Sequence, residues 1–141
     1  MKKLIVIVLS VFILSTLEVI GQCNSEALSN QCIPKLASGF NFLKSYKIEK
    51  PAAAKEYVEY SYVFTKGTQY MINICAPSQP TDGIVVSLFD SNRNKVATSK
   101  INGQYIAAIA YPCPTTGIYY IQYSFDGSAN YCGGSALGFK R

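Results

Sequence analysis

The chain contains no histidine and no tryptophan. Without histidine the usual general base is missing, and with it the Ser-His and Cys-His pairs of nucleophilic catalysis. No Cys-x-x-Cys pair occurs either, so the common zinc-site patterns are absent. Lack of tryptophan weakens a sugar-binding reading. Aspartate is scarce: Asp82, Asp90 and Asp126 are the whole set, well separated along the chain. Paired carboxylates for glycoside hydrolysis are equally hard to find. Glu56 and Glu59 are close, but a spacing of three in a strand sends them to opposite faces. Nothing here reads as an enzyme, and no catalytic residue, metal ligand or cofactor motif is assigned.

Long apolar runs are confined to the start. Lys2-Lys3 precede the unbroken run Leu4 to Leu9, which continues through Val11-Phe12-Ile13-Leu14 and closes at Val19-Ile20-Gly21. A basic start, a short apolar stretch and small residues at its end describe a secretory signal peptide over residues 1–21, cleaved after Gly21. Residues 4–20 number 17, against the roughly 20 that a membrane span needs. Cys23 lies just past the cut, yet Gln22 stands where a lipid-modified cysteine requires a small neighbour. The mature chain then runs from Gln22 to Arg141, 120 residues, which is one domain by ordinary size. Without Lys2, Lys3 and Glu18 the net charge falls from +5 to +4. Its lysines are scattered, so they describe solubility and not a nucleic-acid footprint.

Periodicity divides the mature chain in two. In residues 22–56, read as a helical segment and linker, Leu28, Cys32, Leu36, Phe40 and Leu43 recur at helical steps. Pro34 is tolerated in a first turn, which predicts a short turn near residues 25–31 and a helix from about Pro34 to Leu43. Residues 57–141 read as β throughout. Apolar and aromatic residues alternate over Val58–Phe64, Tyr70–Ile74, Val86–Leu88, Val96–Thr98, Tyr105–Tyr111, Tyr119–Phe125 and Ser135–Phe139, with turn residues between them. That predicts seven antiparallel strands in a two-sheet β-sandwich, mainly β with a short N-terminal helix.

Asp90-x-Asn92-x-Asn94 has the spacing that opens a calcium loop, but the sixth position holds Lys95 and the twelfth Ile101. Glycine and a bidentate glutamate belong there. Asp and Asn suit tight turns, and the stretch is a hairpin tip. Val63, Phe89 and Tyr120 fall on strand faces opposite the expected core. Either the helix or the second sheet covers them, or Phe89 and Tyr120 face a ligand.

The order of Tyr62-Val63-Phe64-Thr65-Lys66-Gly67-Thr68-Gln69-Tyr70, Val86–Asn94 and Tyr111–Ile121 (strand, turn-glycine, aromatic strand, with Asp-x-Asn between) resembles bacterial pre-peptidase C-terminal domains. More narrowly it resembles small secreted proteins of Bacteroidota without an assigned function. The resemblance covers about residues 57–140 and implies a jelly-roll-like sandwich. Those domains usually follow a catalytic domain, for which this chain has no room. Collagen-binding relatives hold calcium with an acidic cluster that is missing here. The implied protein is a secreted or periplasmic, non-catalytic binding module at the cell envelope, with a protein or glycan partner. A purely structural, disulfide-stabilised envelope protein and a carbohydrate-binding module are the alternatives.

Five cysteines in a mature exported chain predict disulfides with one thiol left over. If the strands alternate up and down, Cys75 and Cys132 share one end of the sandwich and Cys113 lies at the other. A strand length of about 17–20 Å then separates Cys75 from Cys113, too far for the ~7 Å Cα limit. This predicts Cys75 with Cys132, and Cys113 with Cys23 or Cys32. Mass spectrometry of the exported protein is expected to find Gln22, open or cyclised, as its first residue. A diacylglyceryl-modified Cys23 in the membrane fraction would contradict this.

Overall fold

The N-terminal helix forms where its cap lies. Asn24 accepts a hydrogen bond from the Ala27 N–H through its side chain (3.1 Å), and Glu26 adds a negative charge to the first turn. Helix α1 therefore spans Ser25–Cys32 and passes into a single 3-10 turn, Ile33–Lys35, that contains Pro34. These residues belong to a computed structural model that describes residues 22–50, 56–78 and 80–141. The signal-peptide reading and its cleavage after Gly21 lie on residues 1–21, outside the described residues. No helix among the described residues is long and apolar enough to cross a membrane.

Ten strands follow among the described residues: β1 (Asn41–Glu49), β2 (Tyr57–Phe64), β3 (Gln69–Cys75), β4 (Ile84–Phe89), β5 (Lys95–Thr98), β6 (Lys100–Ile101), β7 (Gln104–Tyr105), β8 (Ala108–Pro112), β9 (Gly117–Phe125) and β10 (Cys132–Lys140). They form one antiparallel sheet in the order β1-β10-β3-β8, a second in the order β2-β9-β4-β5, and a small β6-β7 hairpin. Both four-stranded sheets contribute to one core, in which Ile48, Ile72 and Leu137 of the first meet Val86, Leu88 and Ile121 of the second. Rings fill much of the space between. Phe64 stacks on Tyr70 at 3.8 Å and on Tyr119 at 4.8 Å, while Tyr46 lies 4.6 Å from Tyr60. Burial raises the Tyr123 hydroxyl's pKa well above its usual value, and the group donates to Ser135 Oγ at 2.7 Å.

Two expectations need correction. The count of seven strands becomes ten, because β1 falls in the segment expected to be helix and linker, β6 lies between two expected strands, and the expected strand Tyr105–Tyr111 divides into β7 and β8. The helix expected from Pro34 to Leu43 is absent. Its helical spacing was produced by a turn at 37–40, where Phe40 N–H donates to the Ala37 carbonyl, and by a bulge in β1. That bulge, between Phe42 and Lys44, switches the inward parity from Leu43 to Tyr46 and Ile48. A strand whose alternation breaks in the middle loses its period-two signature.

Helix α1 lies on the outer face of the first sheet, against β10, β1 and β3. Its approach is as close as backbones allow. A Cβ on Gly134 would meet the Ser29 nitrogen at 2.0 Å, so only glycine fits there. Asn73, buried on the same face, donates to the Cys32 carbonyl (2.8 Å) and accepts from the Ala136 N–H (2.9 Å). Both ends of its amide are satisfied, as burial of a polar group requires.

The disulfides are Cys23–Cys132 and Cys32–Cys75, with Cα separations of 5.4 and 5.7 Å, and Cys113 is a buried thiol. The expected Cys75–Cys132 pair and a bridge from Cys113 to Cys23 or Cys32 are therefore not formed. Cys75 and Cys132 do share one end of the sandwich, where Gly134 is the register partner of Cys75. Cys113 lies at the opposite end, its N–H donating to the Thr68 carbonyl at 3.0 Å. The helix runs over the Cys75 end and brings Cys23 and Cys32 each beside one of its cysteines. Cys23 Sγ is thereby engaged by Cys132. Peptide mapping without reductant is expected to recover these two pairs, with Cys113 alkylated only after unfolding. Replacing Cys32 and Cys75 together by alanine opens a 43-residue separation. On the chain-entropy model this costs up to about 4 kcal/mol, read as a lower urea midpoint. An unchanged midpoint would show that this tether contributes nothing.

Candidate functional site

With α1 on one sheet, no helix among the described residues lies over the outer face of the other, although Val85 and Ser87 on that face are buried at 6% and 7% exposure. Every second residue of β2, β9 and β4 points outward there. The register sets Val63 beside Ile118, Ser61 beside Tyr120 and Phe89, Glu59 beside Gln122 and Ser87, and Tyr57 beside Ser124 and Val85. Phe89 and Tyr120, the two aromatics singled out in the sequence, are thus direct cross-strand neighbours. Neither the helix nor the first sheet lies over them. Val63 and Ile118 are 56% and 47% exposed.

What does lie over Tyr120 is a side chain from the Asp90–Asn94 turn. Asp90 Oδ1 accepts from the Asn92 and Asn94 N–H groups, each at 2.9 Å, and the Arg93 N–H donates to the Asp90 carbonyl at 3.0 Å. The stretch is a hairpin tip whose aspartate is engaged by its own backbone. Arg93 takes a left-handed φ of 64° at the corner. Its guanidinium rests 3.5 Å from the Tyr120 ring centroid and donates to Glu59 Oε2 at 2.8 Å. Gln122 donates to the same oxygen at 2.8 Å. The Glu59 hydrogen bond raises the Arg93 pKa, so this strap stays charged at any ordinary pH.

Further along the same face, a groove of about 690 Å³ runs over Val85, Ser87, Thr98 and Ser124. Phe125 and Tyr131 wall it, while Lys50, Lys95, Lys100, Glu56 and Asp126 rim it. The Lys100 ammonium is bonded to the Asp126 carboxylate, and Tyr105 Oη donates to that carboxylate at 3.0 Å. Lys100's hydrogen bond is the main cause of a lowered Asp126 pKa. Lys50 and Lys95 instead sit over rings, 4.8 Å from Tyr131 and 5.7 Å from Phe89. With Asp126 neutralised by Lys100, two lysines against Glu56 give the rim a positive balance. Sequence reading missed this groove. Its residues come from six separate segments, and scattered lysines carry no local signal.

The 126–131 loop that walls the groove is fixed from outside it. Asp126 N–H donates to the Gly83 carbonyl at 2.7 Å, an approach so close that a Cβ on Gly83 would meet Asp126 O at 2.4 Å. Beside it the Asp82 carboxylate accepts from Ser128 Oγ (2.9 Å), Asn130 N–H (3.0 Å) and Ala129 N–H (3.3 Å). Partial burial pushes the Asp82 pKa up, but these donors outweigh it and hold the carboxyl below its usual range. Cys113 has no part in this face. It lies at the far end, its Sγ 3.2 Å from the Thr115 carbonyl.

No protein-family model matches the chain, and no curated protein matches it in sequence. Among solved structures it is similar to PliG of Aeromonas hydrophila, a periplasmic lysozyme inhibitor of g-type lysozyme. The identity is 15% and the TM-score 0.47, over 74% of this chain and 91% of that one. A likeness of that size transfers no function.

Asp82 gives the site a testable pH dependence. A depressed folded pKa contributes stability that is complete above the unfolded value, near 3.9, and is lost as pH falls through the folded one. Urea unfolding in steps below about pH 4 is expected to show a flatter acid limb for Asp82→Asn than for the wild type. Parallel limbs would mean that the carboxylate does not hold the loop.

Proposed function

We propose that the chain is exported and acts, without catalysis, as a binding module whose open sheet face takes an acidic segment of a protein partner. The observation that carries this reading is the asymmetry of the sandwich. One outer face is closed by a helix and two disulfides, and the other presents a positively rimmed groove beside an aromatic pair. Lys50 and Lys95 complement carboxylates, Ser87, Thr98 and Ser124 offer hydroxyls along the floor, and Phe125 and Tyr131 supply an apolar wall. Export rests on the basic-apolar start, cleaved after Gly21, and on two disulfides that an oxidising compartment favours.

Two finer readings go with it. The likeness to pre-peptidase C-terminal domains of Bacteroidota proteins rests on the turn-glycine and Asp-x-Asn motifs. The jelly-roll reading is supported by strand order. With β6 and β7 set aside, the first, last, third and sixth strands make one sheet, and the second, seventh, fourth and fifth make the other.

The test is a peptide array of Asp/Glu-rich and neutral sequences, probed with the mature protein at low and physiological salt. Acidic peptides are expected to bind, more weakly as salt rises, and Lys50→Glu with Lys95→Glu should cost about tenfold in affinity or more. Capture of anionic glycans and not peptides would change the partner class. Binding of neither would leave the disulfide-stabilised structural role.

A further inference from the structure

A sheet edge is a row of unpaired backbone groups, and natural proteins blunt it with short strands, lysine, proline or bulges. Three of the four edges of the two four-stranded sheets carry such devices. Strand β1 has Lys44, Lys47 and a bulge between Phe42 and Lys44. Strand β5 is four residues long, starts at Lys95 and pairs through a register shift. Strand β8 is five residues long and ends in Pro112. The fourth edge, β2, has none of them. It runs for eight residues, YVEYSYVF, in unbroken register with β9 and without lysine or proline. Its outward residues include Tyr57, 40% exposed, and Val63, 56% exposed.

We propose that β2 is a dimerisation edge, and that it pairs antiparallel with β2 of a second copy of this chain about a two-fold axis. The sequence of the strand is what selects a second copy. In a symmetric antiparallel pair, side chains keep to their faces only if the axis falls on a residue and not between two. With the axis on Tyr60, Tyr57 stands opposite Val63 of the second copy, Glu59 opposite Ser61, and Val58 opposite Tyr62. Every exposed apolar residue of the strand finds an apolar partner, and no like charges meet. With the axis on Ser61, Val63 would face Glu59 and Tyr57 would face Thr65, which leaves both apolar residues mismatched.

Grooves on both sides of the edge fit the same register. One of about 420 Å³ is lined by Ser61, Tyr62, Val63 and Ile118, on the outer face where Tyr57 of the second copy arrives. Another, of about 460 Å³, lies between the β1 and β2 edges and is lined in part by Lys47, Val58 and Tyr60. A strand added to an edge gains affinity from main-chain hydrogen bonds and specificity from alternate side chains in such grooves. Glu59 brings no unbalanced charge to the seam, since Arg93 and Gln122 already hold its carboxylate. The dimer would carry one eight-stranded sheet with two copies of the lysine-rimmed groove on the same face. It does not depend on what those grooves bind.

Sedimentation of the disulfide-intact mature protein across micromolar to millimolar concentrations tests this. A reversible dimer is expected, and Val63→Lys or Tyr57→Lys should each weaken it by about tenfold or more, because two-fold symmetry enters every substitution twice. Both side chains are exposed, so at concentrations where the wild type is monomeric the variants are expected to share its melting temperature. A second measurement fixes the register. Tyr57→Cys and Val63→Cys proteins should cross-link when mixed and oxidised, since residues opposite each other in such a pair stand about 4.5–5.5 Å apart, within disulfide range. Neither variant alone should cross-link to itself. A wild type monomeric at millimolar concentration, a dimer indifferent to both lysines, or cross-linking by one variant alone would each overturn the proposal.

Discussion

The contact of the Ser29 backbone with Gly134 is the constraint on which the rest of the architecture hangs. It brings α1 so near β10 that no side chain fits at Gly134 and only small ones fit around it, with Ser25, Ser29 and Cys32 as the buried stripe of the helix. A stripe of two serines and a cysteine buries little apolar area. Hydrophobic transfer alone therefore holds this helix poorly. What replaces it is directional: the Asn73 amide between Cys32 and Ala136, and two disulfides at the ends of α1. From that docking follows the difference between the two outer faces of the sandwich.

Most strands were legible because their alternation is strict and their cross-sheet partners are aromatic. Val58 to Phe64 and Tyr119 to Phe125 each put four large side chains on one face, and both are strands as read, β9 central with Tyr119, Ile121 and Tyr123 buried and β2 at the edge with Phe64 buried and Tyr60 and Tyr62 half-buried. The first strand was not legible, for a physical reason. Its bulge moves the inward parity by one residue, and a short apolar run with mixed parity imitates a helical step. The helix was hidden for the complementary reason. Its buried face is polar, so periodicity of apolar residues could not mark it, and Asn24 and Glu26 were the signals that could have.

The disulfide pairing shows how a correct end assignment leads to a wrong bond. Strand parity puts Cys75 and Cys132 together and Cys113 apart, as the structure does. Pairing the two neighbours then assumes that nothing else reaches their end. A helix docked on the outer face satisfies both cysteines separately and leaves Cys113 buried near Thr115 and Tyr119. Where α1 docks depends on Gly134 having no side chain, a feature of close approach that spacing in the sequence does not carry. The same holds for the groove, whose rim is assembled from positions remote in the chain.

The two faces also differ in how firmly they are covered. Over the first sheet the cover is covalent. Over the second it is Arg93, lying on Tyr120 and bonded to Glu59, with its side chain largely in solvent. A solvent-exposed ion pair is screened by salt and readily exchanged for water. Its planar cation therefore occupies the Tyr120 ring face as a replaceable layer, and the turn that carries it is pinned through Asp90 and not through Arg93 itself. A carboxylate arriving at the face meets a guanidinium already set in place and oriented by Glu59 and the ring, so little ordering of Arg93 remains to be done on binding. Arg93 and Glu59 thus cover the Tyr120 end of the face with a paired, solvent-exposed layer, and the lysine-rimmed groove lies further along the same sheet.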